Sequence, residues 1–245
     1  MAKQILLDCR LFAVGADLSG ASNKIELSAE HEDKDVTNYR SNGWKEVLAG
    51  IGSAEIAGEG QWEAGDPSLV DDASWADLGG LGPYTVCPND SVVGALAYFA
   101  KGMRADFKFG DAVGEVAPWS GMVKSSWPMV RGQIAHPPGM ARTVTGTGTA
   151  LELGAVAAGQ RLYAALHVLS VAGTDTPTIT VRIESDDAAG MASPTTQLTF
   201  GAATAAGGEI LRTDGSAITD THYRVAWTIS GTSPSFMFAV SLGVR

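Results

Sequence analysis

The sequence predicts an all-β protein in two parts: an N-terminal β-sandwich or barrel with one short helix, then a C-terminal antiparallel β-sandwich. Three observations carry this. Two stretches of the first half alternate apolar and acidic residues with period two, the pattern of strands whose successive side chains point to opposite faces. A single stripe of helical spacing follows them. In the second half, β-rich runs recur every ~10–15 residues between Gly, Pro and Asp turns, the spacing of an antiparallel sandwich.

Taken in order, Ile5 to Val14 predicts an opening strand and Gly15 to Asn23 a turn. The first alternating strand runs from Lys24 to Glu32 and the second from Ala54 to Glu63. One face of the pair then carries Ile25, Leu27, Ala29, Ile56 and Trp62, able to pack on a core. The other carries Glu26, Glu30, Glu32, Glu55, Glu59 and Glu63. Such a face either meets water or repels something anionic. Between the strands lies a polar loop holding Asp33, Asp35, Thr37, Asn38, Tyr39 and Arg40, and Trp44 to Leu48 fits a short strand or a helical turn.

Asp66-Pro67-Ser68 reads as a helix start, with a capping residue and an early proline. Leu69, Val70, Ala73, Trp75, Ala76 and Leu78 give the stripe, Gly79-Gly80 ends it, and the helix dipole favours Asp71 and Asp72 in its first turns. Val92 to Phe109 carries both periodicities. The Gly110-Asp111 turn and Val113-Gly114-Glu115-Val116 favour a strand there, in a long hairpin continued by Met122 to Ile134. Trp127-Pro128 falls at a bulge or edge, since proline cannot donate to a ladder. His136-Pro137-Pro138-Gly139 is the strongest punctuation, and the chain beyond it is rich in Thr, Ala and Gly. The boundary is placed near residue 140, dividing the chain into 1–140 and 141–245. Strands follow at Thr149 to Leu153, Arg161 to Val171, Thr178 to Glu184, Gln197 to Phe200, Tyr223 to Ser230 and Ser235 to Val244.

Composition narrows the function. With 45% hydrophobic and 18% charged residues the 245-residue chain suits a packed protein rather than a disordered one. A net charge of −10 argues against gripping nucleic acid, which needs clustered Lys and Arg, and permits repulsion of DNA passing nearby. Cys9 and Cys87 match no metal or redox spacing and are expected as reduced, inert thiols, although two can form one disulfide. Neither a signal peptide nor a membrane span fits, so folding in a cytoplasm is expected.

Catalysis needs convergent titratable groups, and none is legible. His31, His136, His167 and His222 form no metal-ligand or base spacing, and His167, inside an apolar run, reads as a satisfied core histidine. No nucleophile elbow, dinucleotide fingerprint or phosphate loop is present. Asp71-Asp72 and Asp186-Asp187 lack the spaced oxygens of a calcium loop. The glutamates are spread over two strands, unlike the close pair of a glycosidase. The expectation is a protein that is not an enzyme and needs no cofactor.

The order of motifs points further. An opening strand leads to an acidic hairpin around Asp35-Val36-Thr37 and Trp44-Lys45-Glu46. The strand Gly52 to Gly65, with Gly58-Glu59-Gly60-Gln61-Trp62-Glu63, then ends in a short acidic helix. A second hairpin runs through Gly114-Glu115-Val116-Ala117-Pro118 and Val130-Arg131-Gly132. This arrangement resembles the major tail tube proteins of long-tailed, non-contractile bacteriophages, over roughly residues 1–137. The block from Ala165 to Val240 resembles accessory β-sandwich domains appended to phage tail proteins.

The resemblance implies a virion structural protein assembled in the host cytoplasm, forming rings, six-fold in this family, that stack into a hollow tail tube. Its implied partners are copies of itself, tape measure and tail-end proteins, and DNA in transit. On this reading Glu26, Glu30, Glu32, Glu55, Glu59 and Glu63 line the channel, repelling phosphate within a Debye length of ~8–10 Å. Asp33, Asp35, Asn38, Tyr39 and Arg40 would meet the next ring. The alternative is a virion-surface protein whose C-terminal sandwich binds a carbohydrate or a partner, with Tyr223 and Trp227 as the aromatic platform. Against it, Trp227 alternates with Val225 and Ile229, which favours a core role.

Overall fold

Residues 5–245 are described by the computed structural model, which is 58% strand and 3% helix, an all-β fold. Strand β1 (Arg10–Ala13) turns through Val14 and Gly15 into β2 (Ala16–Asp17). The predicted start at Ile5 is too early. Ile5, Leu6 and Leu7 are exposed and outside any strand, because the neighbour of β1 reaches only as far as Arg10.

The two alternating segments form β3 (Ser22–Asp35) and β4 (Val47–Gln61), a long antiparallel hairpin. Helix α1 (Val70–Ala76) follows, capped by Leu69 without a side-chain bond. Asp66 is therefore not its cap. The Asp66 carboxylate accepts the Ser68 amide at 2.9 Å, a local turn that competes with capping. Strand β5 (Leu81–Cys87) pairs with β1 and with β6 (Leu96–Phe109). β7 (Pro118–Ser125) and β8 (Val130–His136) both pair with β6, and Trp127-Pro128 lie in the link between them. β7 also pairs with β4, so four strands run in the order β3-β4-β7-β6.

In the second half β9 (Gly146–Thr147) and β10 (Leu151–Glu152) are short. The four long runs predicted there are two strands, β11 (Leu162–Asp186) and β14 (His222–Val244), paired from Leu162↔Val244 to Asp186↔His222. The ribbon bends where Gly173, Asp175, Thr176, Gly231 and Ser233 adopt positive φ. Burial changes parity across the bend, from Leu162, Ala164, Leu166 and Val168 to Ile179, Val181 and Ile183. Both arms thereby line one core, shared with Tyr223, Val225, Trp227, Phe236 and Phe238. β12 (Thr195–Thr199) and β13 (Gly207–Arg212) flank β11. The latter was not predicted, since its two leading glycines carry no strand propensity.

The sheet does not break near residue 140. β8 pairs with β14 at Ile134↔Ser241 and His136↔Val240. Phe12, Cys87, Ala97 and Ile134 pack with Ala239, while Phe99 and Val130 pack with Tyr163, Ala165 and Ile210. Each half also has its own cluster, around Trp119 and Tyr84 in the first and around Trp227 and Phe238 in the second.

Candidate functional site

The four-stranded sheet β3-β4-β7-β6 turns Ile25, Leu27, Ile56, Trp119 and Val123 inward onto a core of their own half. Its other face is charged and open to solvent. Glu26 projects from β3 and Glu55 and Glu59 from β4 on this side by strand alternation, while Glu30 and Glu32 lie further along β3, beyond the last residue of β4 that pairs with β7. Ala29 is exposed, because β3 is the edge strand and lacks cover beyond Leu27. Glu63 lies past the end of β4, where its carbonyl accepts the Asp71 amide at 3.0 Å.

This face is not purely acidic. Lys24 lies 3.1 Å from Glu26 and 3.3 Å from Glu59, Lys124 3.7 Å from Glu55, and Lys108 3.1 Å from Asp106, while Lys34 pairs with Glu32. Hydrogen bonds donated to the Glu26 and Glu59 carboxylates hold the Lys24 ammonium's pKa above its ordinary range. Exposed pairs of this kind stabilise a fold by only ~0–1 kcal/mol. Their consequence is chemical. Each of these ammonium groups already faces a carboxylate, which leaves little for a phosphate to bind.

Two sheet edges are open among the described residues. The outer edge of β3 has no partner strand, and β6 from Ala105 to Phe109 pairs with β7 alone.

Beyond the last β4–β7 pair, Glu55↔Lys124, the hairpin continues as a two-stranded arm from Glu30↔Ser53 to Asp35↔Val47. Asp33, Asp35, Asn38, Tyr39 and Arg40 all lie on it and all are exposed. Its tip is shaped by its own turns. The Asp35 carboxylate accepts the Thr37 amide at 2.8 Å, the Asn38 side-chain carbonyl accepts the Arg40 amide at 2.9 Å, and the Val36 amide reaches the Glu46 carbonyl at 3.0 Å. Bonds from Thr37 lower the Asp35 carboxyl pKa. Val36, Tyr39, Trp44, Val47, Leu48 and Ile51 leave the arm apolar and uncovered.

At the opposite end of β4, sequence reasoning missed an aromatic row. Trp62 stacks on Phe109 with ring centroids 5.4 Å apart, Phe109 on Phe107 at 6.4 Å, and Trp75 of α1 meets Phe107 edge-on at 6.4 Å. The Trp62 indole donates to Asp71 at 2.8 Å, which fixes its plane against the helix. The signal was available: Trp62 continues the inward parity of Ile56, and Phe107 and Phe109 share one face of β6.

The other singled-out side chains are structural. The His167 ring accepts the Gly15 amide at Nδ1, so Nε2 donates to Thr85 Oγ1 at 2.9 Å, and burial pushes its pKa down to about 3. His136 donates from Nδ1 to the Phe238 carbonyl and accepts from Arg142 at Nε2. Burial and then the Arg142 charge push it down to about 4. Trp227 is 3% exposed, with its indole donating to the Val144 carbonyl, and Tyr223 is buried, so neither offers a platform. Asp186 is spent on the amides of Ala188 and Ser193. Burial pushes the Cys87 thiol up to about 12, and both cysteines are free. Among the described residues no helix is long and apolar enough to cross a membrane.

No family model and no curated protein matches the chain. Among solved structures it is similar to a chain of the native gene transfer agent virion, at 19% identity and a TM-score of 0.44, covering 53% of this chain and 98% of that one. A chain from the tail of an empty gene transfer agent particle with C6 symmetry matches at 22% identity and a TM-score of 0.41, covering 50% and 92%. The SPP1 Dit protein (gp 19.1) of a phage hub adsorption apparatus matches at 10% identity and a TM-score of 0.32, covering 97% and 99%.

Proposed function

We propose that this chain is a structural subunit of a phage-like tail, whose copies close into rings, six-fold as the sequence resemblance implies, and stack into a hollow tube. The observation that carries this reading is the β3-β4-β7-β6 sheet, open at both edges and charged on its solvent face. An open edge on β3 and another on β6 are complementary between copies, and ring closure satisfies both with main-chain hydrogen bonds. The charged face then lines the channel through Glu26, Glu55 and Glu59, continued along β3 by Glu30 and Glu32, with Glu63 at its rim. A wall whose ammonium groups are matched by carboxylates repels DNA weakly and holds it nowhere. Residues 1–140 supply the ring, residues 141–245 an accessory sandwich continuous with it, and the exposed arm meets the neighbouring ring through Asp33, Asp35, Asn38, Tyr39 and Arg40.

Negative-stain electron microscopy of the concentrated protein, alone and seeded, tests this. Rings or tubes are expected, and persistent monomers under all conditions overturn it.

A further inference from the structure

We infer that the aromatic row Trp62–Phe109–Phe107–Trp75 is the seat for the hairpin arm of a second copy of this chain, with Tyr39, Arg40 and Trp44 as the inserted anchors. This rests on reading the chain as a self-stacking subunit and names the contact that does the stacking.

The arm needs a partner. A two-stranded ribbon alone is marginal in water, and this one exposes Trp44 at 80% relative surface with Tyr39 fully open. Tyr, Arg and Trp within six positions are the residue types that dominate interface energetics. The row likewise exposes Phe109 at 60% and Trp75 at 66%. A contiguous exposed aromatic patch on a folded surface marks an interaction site.

Charge selects the pair. The segment from Trp62 to Asp77 around the row carries Glu63, Asp66, Asp71, Asp72 and Asp77 and no Lys or Arg. The arm tip offers Arg40, which has no ion-pair partner among the described residues, whereas Lys45 is paired with Asp33 at 3.3 Å. An aromatic tip with one unpaired guanidinium therefore faces an acid-rimmed aromatic seat.

Geometry makes the contact intermolecular. The tip adjoins Val47 and the row begins at Trp62, so they lie at opposite ends of β4, ~50 Å apart at the strand's rise per residue. One molecule cannot bring them together. Two unlike patches at opposite poles give a head-to-tail contact that propagates without closing, the symmetry of a stack.

The test uses two populations of the full chain in a Cys9→Ser background, one with Lys45→Cys beside the anchors and one with Ala64→Cys beside the row, mixed under assembly conditions and oxidised. Both positions are exposed, so the substitutions leave the fold intact. Disulfide-linked heterodimers in excess over either homodimer are expected. In parallel, Trp44→Ala should raise the concentration needed for assembly about tenfold or more, with an unchanged monomer melt. Stacked particles without the heterodimer, or with Trp44→Ala assembling as before, overturn this seat and leave the ring reading standing. Absence of stacked particles in the unsubstituted protein overturns both.

Discussion

His167 on β11 and Thr85 on β5 share a hydrogen bond of 2.9 Å across eighty-two positions of sequence, and with the Gly15 amide on the other ring nitrogen they fasten the two halves together. Phe12 lies against the same ring at 5.7 Å. Replacing His167 with Ala leaves the Thr85 hydroxyl and the Gly15 amide buried without partners and opens a cavity. A loss of about 2–4 kcal/mol is expected, read from urea unfolding as one transition that moves as a whole.

Acid should weaken the same junction. His167 and His136 have folded pKa values pushed down, to about 3 and about 4, below their ordinary 6.5. For a depressed histidine the unfolded chain binds the proton first, so stability is full above the unfolded pKa and declines as pH falls through about 6.5 toward the folded values. At pH 5 each histidine should cost about 2 kcal/mol relative to pH 7. Urea melts at the two pH values check this, and His167→Gln should flatten the difference.

Removing residues 141–245 should cost the protein its solubility. β8 would lose its β14 partner, and Phe99 and Val130 would lose Tyr163, Ala165 and Ile210. Expression of 1–140 should give insoluble or aggregated material by centrifugation and size exclusion. A soluble fragment with a cooperative melt would show that the N-terminal cluster around Trp119 suffices.

Gly15 marks a close approach of the halves. Its φ is 94°, and a side-chain carbon there would stand 2.3 Å from the Gly207 backbone nitrogen. Gly15→Ala combines a left-handed backbone with a clash against main chain, and should destabilise by about 2 kcal/mol or more, measured by thermal and urea unfolding.

Charge reversal tests the channel. Glu55→Lys with Glu59→Lys frees Lys124 from its partner, leaves Lys24 with Glu26 alone, and adds two further cations to the face. Particles should still assemble, because the substituted side chains point to solvent, but DNA should leave them more slowly, an effect that high salt relieves. Unchanged release kinetics would remove the electrostatic role.

Much of this was legible in the alternation itself. Ile25, Leu27 and Ile56 face inward and Glu26, Glu30, Glu55 and Glu59 outward because period two allows no other arrangement once one face is buried. Lys24 and Lys34 share the glutamates' parity, and attention to carboxylates alone overstates how acidic the face is. The bends of β11 and β14 were hidden, since Asp175, Thr176 and Ser233 look like loop residues that end strands rather than corners within them. The junction was equally obscure. The proline-rich punctuation after His136 signals a turn, and no local pattern says that β8 will pair with a strand a hundred residues later.

The pairing of β8 with β14 also sets an order of events during synthesis. A chain released from the ribosome only as far as β13 has Ile134 and Ala135 in hand but no strand to cover them, and the long β11 ribbon has no second rail. Contacts of such sequence separation close slowly. Incomplete chains are thereby kept from a finished fold, and any polymer built from this subunit admits only molecules whose translation has run through residue 244.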